Sequence, residues 1–558
     1  MEAEAVVVGA GLAGLVAATE LADAGMRVVV LEQEGEESLG GQAWWSFGGV
    51  FLVGSAEQRR LGVRDSVELA WRDWLGAAGF DRPEDEGPRR WAQAYVEFAA
   101  TEMRRWLRSL GMRFFPIVGW AERGGGLATG HGNSVPRFHI VWGTGPGVLA
   151  PFVAKARAAE RGGRLRLVFR HRVTELRIER GAVRGVAGQV LAPSTGVRGA
   201  PSSGEPVGDF AVRAPVVVLA TGGIGGNLDL VRRYWPRDRL GPPPQRLLCG
   251  VPAHVDGAAW ALAEAAGAAI LHRDRMWHYP EGVAHYDPVW PAHGVRILPG
   301  PSALWLDAHG HRLPPPLFPG FDAWSTLAHV RRTGWDHSWF VASEAVVARE
   351  FALSGSDQNP DLTSGRLLRV ARERGGGRMP GPVRRFLDRG EDWIRARSVD
   401  DLVARMNALV NAELVDPRDL METIRARDDQ LRYGYGKDAQ VMAIHAARRY
   451  RGDRWIRVAS PHPFLDGDHG ALVAVRLRTL TRKTLGGVAT DLEGRVLKPD
   501  GTPIDGLYAV GEIAGFGGGG MHGYRSLEGT FLGGCLFGGR VAGRAAARAL
   551  HVLRAAPR

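Results

Sequence analysis

Near the start of the chain, three glycines have the spacing that a dinucleotide-binding turn requires. Gly9, Gly11 and Gly14 form a G-x-G-x-x-G motif directly after a run of three valines. The first glycine allows a sharp turn, the second lets a pyrophosphate approach the backbone, and the third lets a helix pack closely on the sheet. Glu32 follows a second apolar run, where a carboxylate accepts hydrogen bonds from an adenosine ribose and repels a 2′-phosphate. The pattern predicts a strand, a helix and a parallel strand that bind either NAD or FAD.

A second glycine cluster occupies residues 143–147 and precedes a predicted helix and the apolar strand 165–169. One reading is a second nucleotide site in which Arg170 binds NADP. However, Pro146 interrupts the turn and the third glycine of the motif is misplaced. We interpret the segment as a crossover helix of the same domain, with Val173 near the adenine.

Two later strands favour FAD over NAD. Residues 216–219 are a valine-rich run that ends in Ala220-Thr221-Gly222-Gly223, and residues 507–510 form an apolar run that leads into Gly511-Glu512. An Ala-Thr-Gly-Gly end to such a strand is typical of two-dinucleotide FAD folds, where the backbone passes the cofactor. We therefore expect both strands to join the sheet that begins with the glycine motif.

The length of 558 residues implies at least two domains. We expect an α/β class, α+β overall: a Rossmann-like FAD-binding domain of the two-dinucleotide-binding type, interrupted by an α+β capping domain. The predicted boundaries are 1–255, 256–480 and 481–558. Within the capping domain, helices are predicted over 336–351 and 401–413.

Composition excludes several function classes. The net charge of +11 comes from 71 basic and 60 acidic residues, but the arginines are scattered and do not alternate with stacking aromatics, so no nucleic-acid partner is expected. Cys249 and Cys535 are far apart, which excludes an iron–sulfur cluster or a redox disulfide, and no metal site is predicted. No apolar run reaches the roughly 18 residues of a membrane span, and no signal peptide is seen, so a cytoplasmic location is expected.

Three segments together carry a family resemblance: the βαβ unit with Glu32, the strand ending in Ala220-Thr221-Gly222-Gly223, and the strand 507–512 before a glycine-rich helix start. In this order they resemble the flavoproteins of the fumarate reductase and succinate dehydrogenase superfamily. Within it, the chain is most similar to FAD-binding dehydrogenases related to 3-ketosteroid Δ1-dehydrogenase.

The resemblance implies noncovalent FAD. A covalent linkage uses a histidine near the second glycine loop, whereas residues 42–49 offer tryptophans and a serine. The cofactor-binding residues expected from the motifs and the resemblance are Gly9, Gly11, Leu12, Ala13, Gly14, Glu32, Gln33, Gly40, Gly41, Gln42, Ser46, Gly48, Gly49, Val173, Ala220, Thr221, Gly222, Asn227, Gly511, Glu512, Thr530 and Leu532.

The segment 524–538 matches the ketosteroid enzymes without a gap at its tyrosine, threonine and final Phe-Gly. By resemblance, the hydroxyl of Tyr524 and the backbone N–H of Glu528 bind the substrate ketone and stabilise its enolate, as an oxyanion hole does. The helix that follows would place its positive end near the flavin. One departure is clear, since Pro-Gly-Pro-Gly is replaced here by the bulkier segment 525–528.

For the base that removes the substrate proton, the sequence offers His278 and Tyr279. His278 lies where fumarate reductases carry a substrate-binding histidine, although both residues are as well explained by packing among tryptophans. The expected reaction transfers hydride from a CH–CH bond beside a carbonyl to flavin N5. The expected partners are a hydrophobic or cyclic ketone and an external electron acceptor: a quinone, an electron-transfer protein or dioxygen.

Two alternatives stay open from the sequence. One is reduction of an activated C=C bond, such as that of an unsaturated carboxylate bound by Arg525. Against it, the histidine that fumarate reductases carry before a Thr-Leu-Gly-Gly segment is replaced by Lys483. The other is a protein that binds FAD without turnover.

Overall fold

The protein was analysed as a computed structural model, which describes residues 1–126, 130–374, 378–466 and 468–555. The strands are β1 Ala5–Val8, β2 Val28–Leu31, β3 Gly49–Phe51, β4 Phe138–Ile140, β5 Leu165–Val168, β6 His171–Glu179, β7 Ala182–Leu191, β8 Pro206–Arg213, β9 Val216–Leu219, β10 Leu248–Cys249, β11 Ile270–Leu271, β12 Met276–Ala284, β13 Gly294–Leu298, β14 Leu304–Leu306, β15 His337–Ser343, β16 Ala352–Leu353, β17 Trp393–Ala396, β18 Leu472–Thr484, β19 Gly487–Val488, β20 Arg495–Leu497 and β21 Pro503–Ala509.

The helices are α1 Leu12–Asp23, α2 Ala56–Arg60, α3 Val67–Ala78, α4 Glu86–Thr101, α5 Met103–Ser109, α6 Thr144–Arg161, α7 Leu228–Arg233, α8 Arg237–Leu240, α9 Ala258–Ala265, α10 Ala323–Arg332, α11 Glu344–Glu350, α12 Pro360–Thr363, α13 Leu367–Arg374, α14 Gly381–Arg389, α15 Val399–Val410, α16 Pro417–Tyr433, α17 Ala439–Ala447, α18 Arg451–Ile456 and α19 Thr530–Ala555. Among these helices, none combines the length and the apolar character that crossing a membrane requires.

The first sheet has the strand order β20-β21-β9-β1-β2-β5, with all neighbours parallel except the edge pair β20 and β21. Its central strands β1, β2 and β9 are apolar, largely valine, and are buried along their whole length, as parallel strands covered on both faces must be. The expected Rossmann-like α/β sheet is confirmed, as is the crossover by α6 into β5. The last strand, β21, joins this sheet from the far end of the chain.

Two helices cover one face of this sheet. A Cβ atom on Gly14 of α1 would lie 2.1 Å from the carbonyl oxygen of Gly9, so only glycine allows the helix to approach the turn this closely. On α19, a Cβ on Gly539 would lie 2.6 Å from the carbonyl oxygen of Ala13, and one on Gly543 would lie 2.8 Å from that of Ala17. These glycines let α19 pack directly against α1.

The second sheet is built around β18, which pairs antiparallel with β12, β15 and β17 and parallel with β10. Its strands come from residues 248–484, between the two parts of the first sheet. The domain boundaries given above stay a prediction. Because β18 ends at Thr484, it carries the chain directly from the second sheet back to the cofactor-binding side.

The helix predicted over 336–351 is wrong in its first half. Residues 337–343 form β15, which pairs with β18 over its full length, and only Glu344–Glu350 is helical. The run Ser-Trp-Phe-Val-Ala consists largely of aromatic and β-branched residues that favour a pleated, buried strand. Ser343 then caps α11 by accepting a hydrogen bond from Val346 N–H at 3.3 Å.

Candidate active site

A cavity of about 540 Å³ begins at the carboxyl ends of β1, β2 and β9 and reaches the first turn of α19 and the strands β12 and β13. The carboxyl edge of a parallel sheet is where open α/β folds bind their ligands. The expected cofactor residues that line this cavity are Gly9, Gly11, Leu12, Ala13, Glu32, Gln33, Gly40, Gly41, Gln42, Ser46, Gly48, Gly49, Val173, Ala220, Thr221, Gly222, Glu512 and Leu532.

The turn before α1 is shaped for a group that approaches the backbone. Gly9 has φ +101°, a left-handed conformation that favours glycine. A Cβ added to Gly11 would meet no atom of the described residues within 4 Å, so the turn faces open space. No side chain of these residues caps the amino end of α1, so its free N–H groups point towards this space. A pyrophosphate fits both the room and the donors.

The carboxylate of Glu32 is fixed by the backbone. Its Oε2 accepts a hydrogen bond from Ala10 N–H at 2.8 Å, and its Oε1 accepts one from Glu34 N–H at 3.0 Å. Burial raises the pKa of this carboxyl group, and the two N–H donors oppose that shift. Each oxygen retains a lone pair for the hydroxyl of a ribose.

Glu512, Gln42 and Lys483 form a second group of polar side chains, which lies between the two sheets. Glu512 Oε1 accepts a hydrogen bond from Thr484 N–H at 2.8 Å, and Glu512 Oε2 accepts one from Gln42 Nε2. Lys483 donates to Gln42 Oε1 and lies 3.7 Å from Glu512 Oε2. Burial lowers the pKa of Lys483. The ammonium group and the start of α19 both line the cavity, and both favour negative charge on a bound ring.

At another part of the cavity wall, Arg296 is surrounded by three carboxylates, and we call these four residues the Arg296 cluster. Nη1 of Arg296 donates to Glu528 Oε1 at 2.6 Å, and Nη2 donates to Glu122 Oε1 at 2.7 Å and to Glu281 Oε1 at 3.4 Å. The guanidinium lies 3.9 Å from the ring centre of Tyr279. The phenol of Tyr279 donates to Glu528 Oε1 at 3.3 Å.

The pKa values of two acids of this cluster, Glu122 and Glu281, are raised. Burial raises the pKa of Glu122 to about 8, against the attraction of Arg296 and with added repulsion from Glu281 and Glu528. Burial also raises the pKa of Glu281, and burial and then Glu528 raise the pKa of Tyr279 well above its usual value. Burial therefore favours the protonated forms of Glu122, Glu281 and Tyr279 beside the guanidinium of Arg296.

A family model for the FAD-binding domain matches residues 4–532. The chain belongs to this FAD-binding family. It is also 59% identical to a KsdD-like steroid dehydrogenase of Mycobacterium tuberculosis, over 98% of this chain and 96% of that protein, and it belongs to that group of flavoproteins. The FAD predicted from the sequence is confirmed, and so is the prediction of an FAD-dependent oxidoreductase.

Two solved structures share the fold of this flavoprotein. The 3-ketosteroid Δ1-dehydrogenase of Sterolibacterium denitrificans, in complex with 1,4-androstadiene-3,17-dione, aligns with a TM-score of 0.68 at 16% identity, covering 98% of this chain and 100% of that one. The open conformation of a flavocytochrome c3 fumarate reductase aligns with a TM-score of 0.63 at 21% identity, covering 98% and 78%. Both confirm the predicted fold class.

Four expected cofactor residues of this flavoprotein lie outside the cavity lining. Gly14 allows the close packing of α1, and Gly511, at φ +73°, faces Ala13, whose Cβ would be 2.8 Å from an added Cβ. Asn227 caps α7 by accepting from Leu230 N–H at 3.1 Å. Thr530 Oγ1 pairs with the ring of His522 at 2.9 Å. Each supports the walls of the site instead of facing its interior.

Of the five residues expected to act on the substrate, Tyr279 and Glu528 line the cavity. The structure places the other three outside that lining. The ring of Tyr524 lies 3.9 Å from the guanidinium of Arg239 and 4.3 Å from that of Arg275, so its face is covered by cations.

Arg525 donates to Ser325 Oγ at 3.0 Å. His278 is buried against Trp235 with ring centroids 4.6 Å apart, and neither of its nitrogens has a partner among the described residues. Burial lowers its pKa to about 3, so the imidazole is neutral. Successive side chains of β12 point to opposite faces, which separates His278 from Tyr279.

Sequence reasoning about this flavoprotein missed Arg296, Glu122 and Glu281. Arg296 was an available signal, because it is the one charged residue in the apolar run 294–298. A buried cation is usually paired with acidic side chains, so this arginine indicates that acids lie nearby. No local pattern marked Glu122, which lies in a loop 174 positions from Arg296.

Proposed function

We propose that this flavoprotein removes two hydrogens from adjacent carbons of a hydrophobic cyclic ketone of the steroid type. The observation that carries the proposal is that Tyr279 and Glu528, a hydrogen-bonded phenol and carboxylate, line the same cavity as the dinucleotide turn. Phe47, Phe138 and Leu298 add apolar wall to that cavity. The similarity of this chain to proteins named KsdD-like steroid dehydrogenases supports the substrate class.

When bound, FAD would accept one hydride, which carries the two electrons of the oxidation. The protein residues supply the proton chemistry. As a base beside the substrate, Tyr279 receives the proton that leaves the carbon next to the ketone while its own phenol proton moves to Glu528. This exchange suits the pair, because the carboxylate is already the acceptor of the phenol's hydrogen bond. In this assignment Tyr279 is the base, one of the two residues that the sequence offered for that part, whereas Tyr524 was expected to bind the ketone.

The position of Arg525 argues against the alternative substrate, an unsaturated carboxylate. Arg525, the expected partner of that carboxylate, lies outside the cavity lining and within 3.9 Å of Asp322. The chain is also only 24% identical to a fumarate reductase (cytochrome) of Shewanella frigidimarina, against 59% for the KsdD-like steroid dehydrogenase.

The test is anaerobic mixing of the oxidised holoenzyme with a panel of steroid ketones, monocyclic ketones and saturated dicarboxylates. Loss of the flavin colour with a steroid ketone, together with formation of the unsaturated product, is expected. Colour loss only with a dicarboxylate, or reoxidation of the reduced enzyme by an enoate but by no unsaturated ketone, would contradict the proposal. Inertness towards the whole panel would favour FAD binding without turnover.

We further propose that FAD is held noncovalently and that a separate acceptor, a quinone, an electron-transfer protein or dioxygen, reoxidises it. The test is stopped-flow reoxidation of the reduced enzyme by each class of acceptor. The class that reoxidises the flavin at the fastest rate is identified as the acceptor. We also propose a cytoplasmic location, which the two free thiols of Cys249 and Cys535 support. Fractionation of the producing cells tests it.

A further inference from the structure

The ketone oxygen of the proposed substrate lacks one of its two expected donors. Tyr524, which the sequence resemblance assigned to this oxygen, lies outside the cavity lining. Glu528, whose backbone N–H was the other expected donor, lines the cavity, and this N–H donates to no acceptor in the described part of the chain. Removal of a proton beside the ketone places negative charge on the oxygen, and preorganised donors or cations must stabilise that charge. For the proposed reaction, a second donor must therefore come from elsewhere in the cavity wall.

Four of the described lysine and arginine residues line the cavity, and three of them already have partners. Arg172 donates to a glutamine side chain, Arg296 to three carboxylates, and Lys483 to a second glutamine side chain. The fourth, Arg482, is half-buried, and its side chain makes no hydrogen bond or ion pair with any residue that the structure describes. Because buried cations are usually paired, a guanidinium of this kind has its donors available for a ligand.

Arg482 owes its direction to an irregularity in β18. Thr481 pairs with His278 on β12, and Lys483 pairs with Trp277. Arg482 therefore has no partner on β12 and is the extra residue of a β-bulge, a feature that re-aims side chains and is common beside active sites. Consecutive residues of a regular strand point to opposite faces, whereas here Arg482 and Lys483 both line the cavity.

The same pair of strands places Arg482 beside the proposed base. Tyr279 pairs with Leu480, and Arg482 lies two positions further along β18. Diagonal neighbours of this kind are about 7–8 Å apart, which is within the reach of long side chains. The stem of Arg482 packs on the backbone of β10, since a Cβ added to Gly250 would lie 3.3 Å from its Cγ. Its positive charge also lowers the pKa of Tyr279 against the effect of burial. The guanidinium and the phenol thus border the same part of the cavity.

We propose that the guanidinium of Arg482 binds the ketone oxygen of the substrate and stabilises the negative charge that this oxygen acquires when Tyr279 removes the neighbouring proton. This inference rests on the proposed ketone dehydrogenation. The carbon beside the ketone loses its proton to the oxygen of Tyr279, and the phenol proton passes to Glu528. The electron pair of that C–H bond moves to the bond with the carbonyl carbon, and one pair of the C=O bond moves to the oxygen beside Arg482.

The next carbon then loses hydride with its electron pair, which reduces FAD by two electrons. The pair on oxygen re-forms the C=O bond, and the pair from the broken C–H bond forms the new C=C bond. An arginine suits this position because its guanidinium offers several donors in one plane and stays ionised throughout. Arg482 is thus a catalytic residue, and it supplies the contact that the resemblance expected from Tyr524.

A phenolic steroid tests this contact in the oxidised holoenzyme, because its oxygen resembles that of the enolate and its ring does not donate hydride. The probe is 2-fluoroestradiol, whose ¹⁹F NMR signal follows the ionisation of its hydroxyl group. The bound phenol should ionise at least about one pH unit lower on the wild type than on Arg482→Met, which corresponds to about tenfold tighter binding of the phenolate. Arg482→Lys, which retains the charge, should recover part of this difference.

Arg172→Met is the matched control, because Arg172 also lines the cavity but lies next to Val173, where the adenine is expected. It should leave the ionisation of the bound phenol unchanged. Equal ionisation on the wild type and on Arg482→Met overturns the inference, and so does failure of the wild type to bind the phenol. If Arg482→Met does not fold, Arg482→Gln is titrated in its place.

A role of Arg482 in holding the cofactor gives a different pattern. Under the inference, Arg482→Met keeps its flavin occupancy, and the rate of flavin reduction by a ketone falls by about 10²- to 10³-fold, the usual loss for one oxyanion donor. Loss of flavin from this variant, or a changed flavin midpoint potential with unchanged phenol ionisation, assigns Arg482 to the cofactor and overturns the inference.

Two further outcomes separate this inference from the proposed function. Weaker binding of succinate to Arg482→Met, with the phenol unaffected, would show that Arg482 binds carboxylates and would overturn the inference. If no ketone bleaches the flavin of the wild type, the proposed function fails, and the phenol titration still decides whether Arg482 binds a ring oxygen.

Discussion

The phenol of Tyr279 donates to Glu528 across 3.3 Å, although the two residues are 249 positions apart in the chain. Tyr279 belongs to a strand of the second sheet, and Glu528 lies directly before α19, which packs on the first sheet. The pair therefore forms only when both parts of the fold are in place. This hydrogen-bonded pair lies at the junction between the two sheets.

Replacing Tyr279 by Phe should lower the rate of flavin reduction by a ketone by about 10²- to 10⁴-fold, the usual contribution of a general base. The change removes the hydroxyl that contacts Glu528 and keeps the ring that stacks on Arg296. Stopped-flow absorbance measures the rate.

The matched control is Tyr524→Phe, since Tyr524 is the tyrosine that the sequence resemblance favours and its ring faces Arg239 and Arg275. It should leave the rate within a few-fold of the wild type. A larger loss in Tyr524→Phe than in Tyr279→Phe would favour the ketone contact expected of Tyr524 and contradict the assignment of Tyr279 as the base.

Gly11→Asp should abolish FAD binding. The new side chain would occupy the open space in front of the turn, and its charge would repel the pyrophosphate. The flavin absorbance per protein after purification measures occupancy, and release of all flavin on denaturation of the wild type checks that it is noncovalent.

Gly208→Asp serves as the control, because a Cβ there also meets open space but on the exposed strand β8. Full flavin occupancy in Gly11→Asp would refute the assignment of the turn.

NADH and NADPH should not reduce the flavin directly. The first sheet holds a single complete glycine motif, and the cluster 143–147 begins the crossover helix α6. Anaerobic mixing with either nucleotide should leave the flavin spectrum unchanged over the time in which dithionite bleaches it. Fast bleaching by either nucleotide would show that a pyridine-nucleotide site had been overlooked.

Arg296→Met should destabilise the protein by roughly 3–5 kcal/mol, because three buried carboxylates lose their shared cation. The loss should grow with pH. In the wild type the pKa of Glu122 is raised from 4.5 to about 8, so the stability that its proton contributes is present below pH 4.5 and is lost as pH rises to about 8. Because Arg296 lowers this pKa, its removal raises the pKa further, and the variant loses more stability than the wild type over the same pH range.

Urea unfolding of the variant and the wild type at pH 5 and pH 8.5 measures the difference. The double variant Arg296→Met with Glu122→Gln should recover part of the loss at pH 8.5. Equal destabilisation at both pH values would show that the cluster does not titrate in this range.

The dinucleotide sheet was predictable because its signals are local. The valine runs, the glycine turn and Glu32 lie within one short segment, and each has a backbone or charge requirement that few residue types meet. The strand ending at Ala509 was found for the same reason. The crossover helix α6 was also correctly predicted, since a proline in the wrong place ruled out the competing reading of its glycines.

The substrate side was less accessible to sequence reasoning. The Arg296 cluster joins the loop at Glu122, the strands β12 and β13 and the segment before α19, and no periodic pattern connects them. Tyr524 was favoured by an ungapped motif, but a motif cannot show that three arginines surround its ring. The helix prediction over 337–343 was wrong because this segment pairs with β18, whose partner residues lie 129 to 141 positions further along the chain.

The order of strands in the first sheet has a consequence for synthesis on the ribosome. β9 is paired with β1 but leaves its other edge bare until β21 has been translated, and α1 lacks its cover until α19 follows. From residue 219 to residue 503, translation takes about 15–60 s at ~5–20 residues per second. During that interval the nascent chain exposes an open sheet edge and an apolar helix face, which invite aggregation. A chain stalled before β21 should therefore recruit chaperones and carry no FAD, so that the cofactor enters only at the end of synthesis.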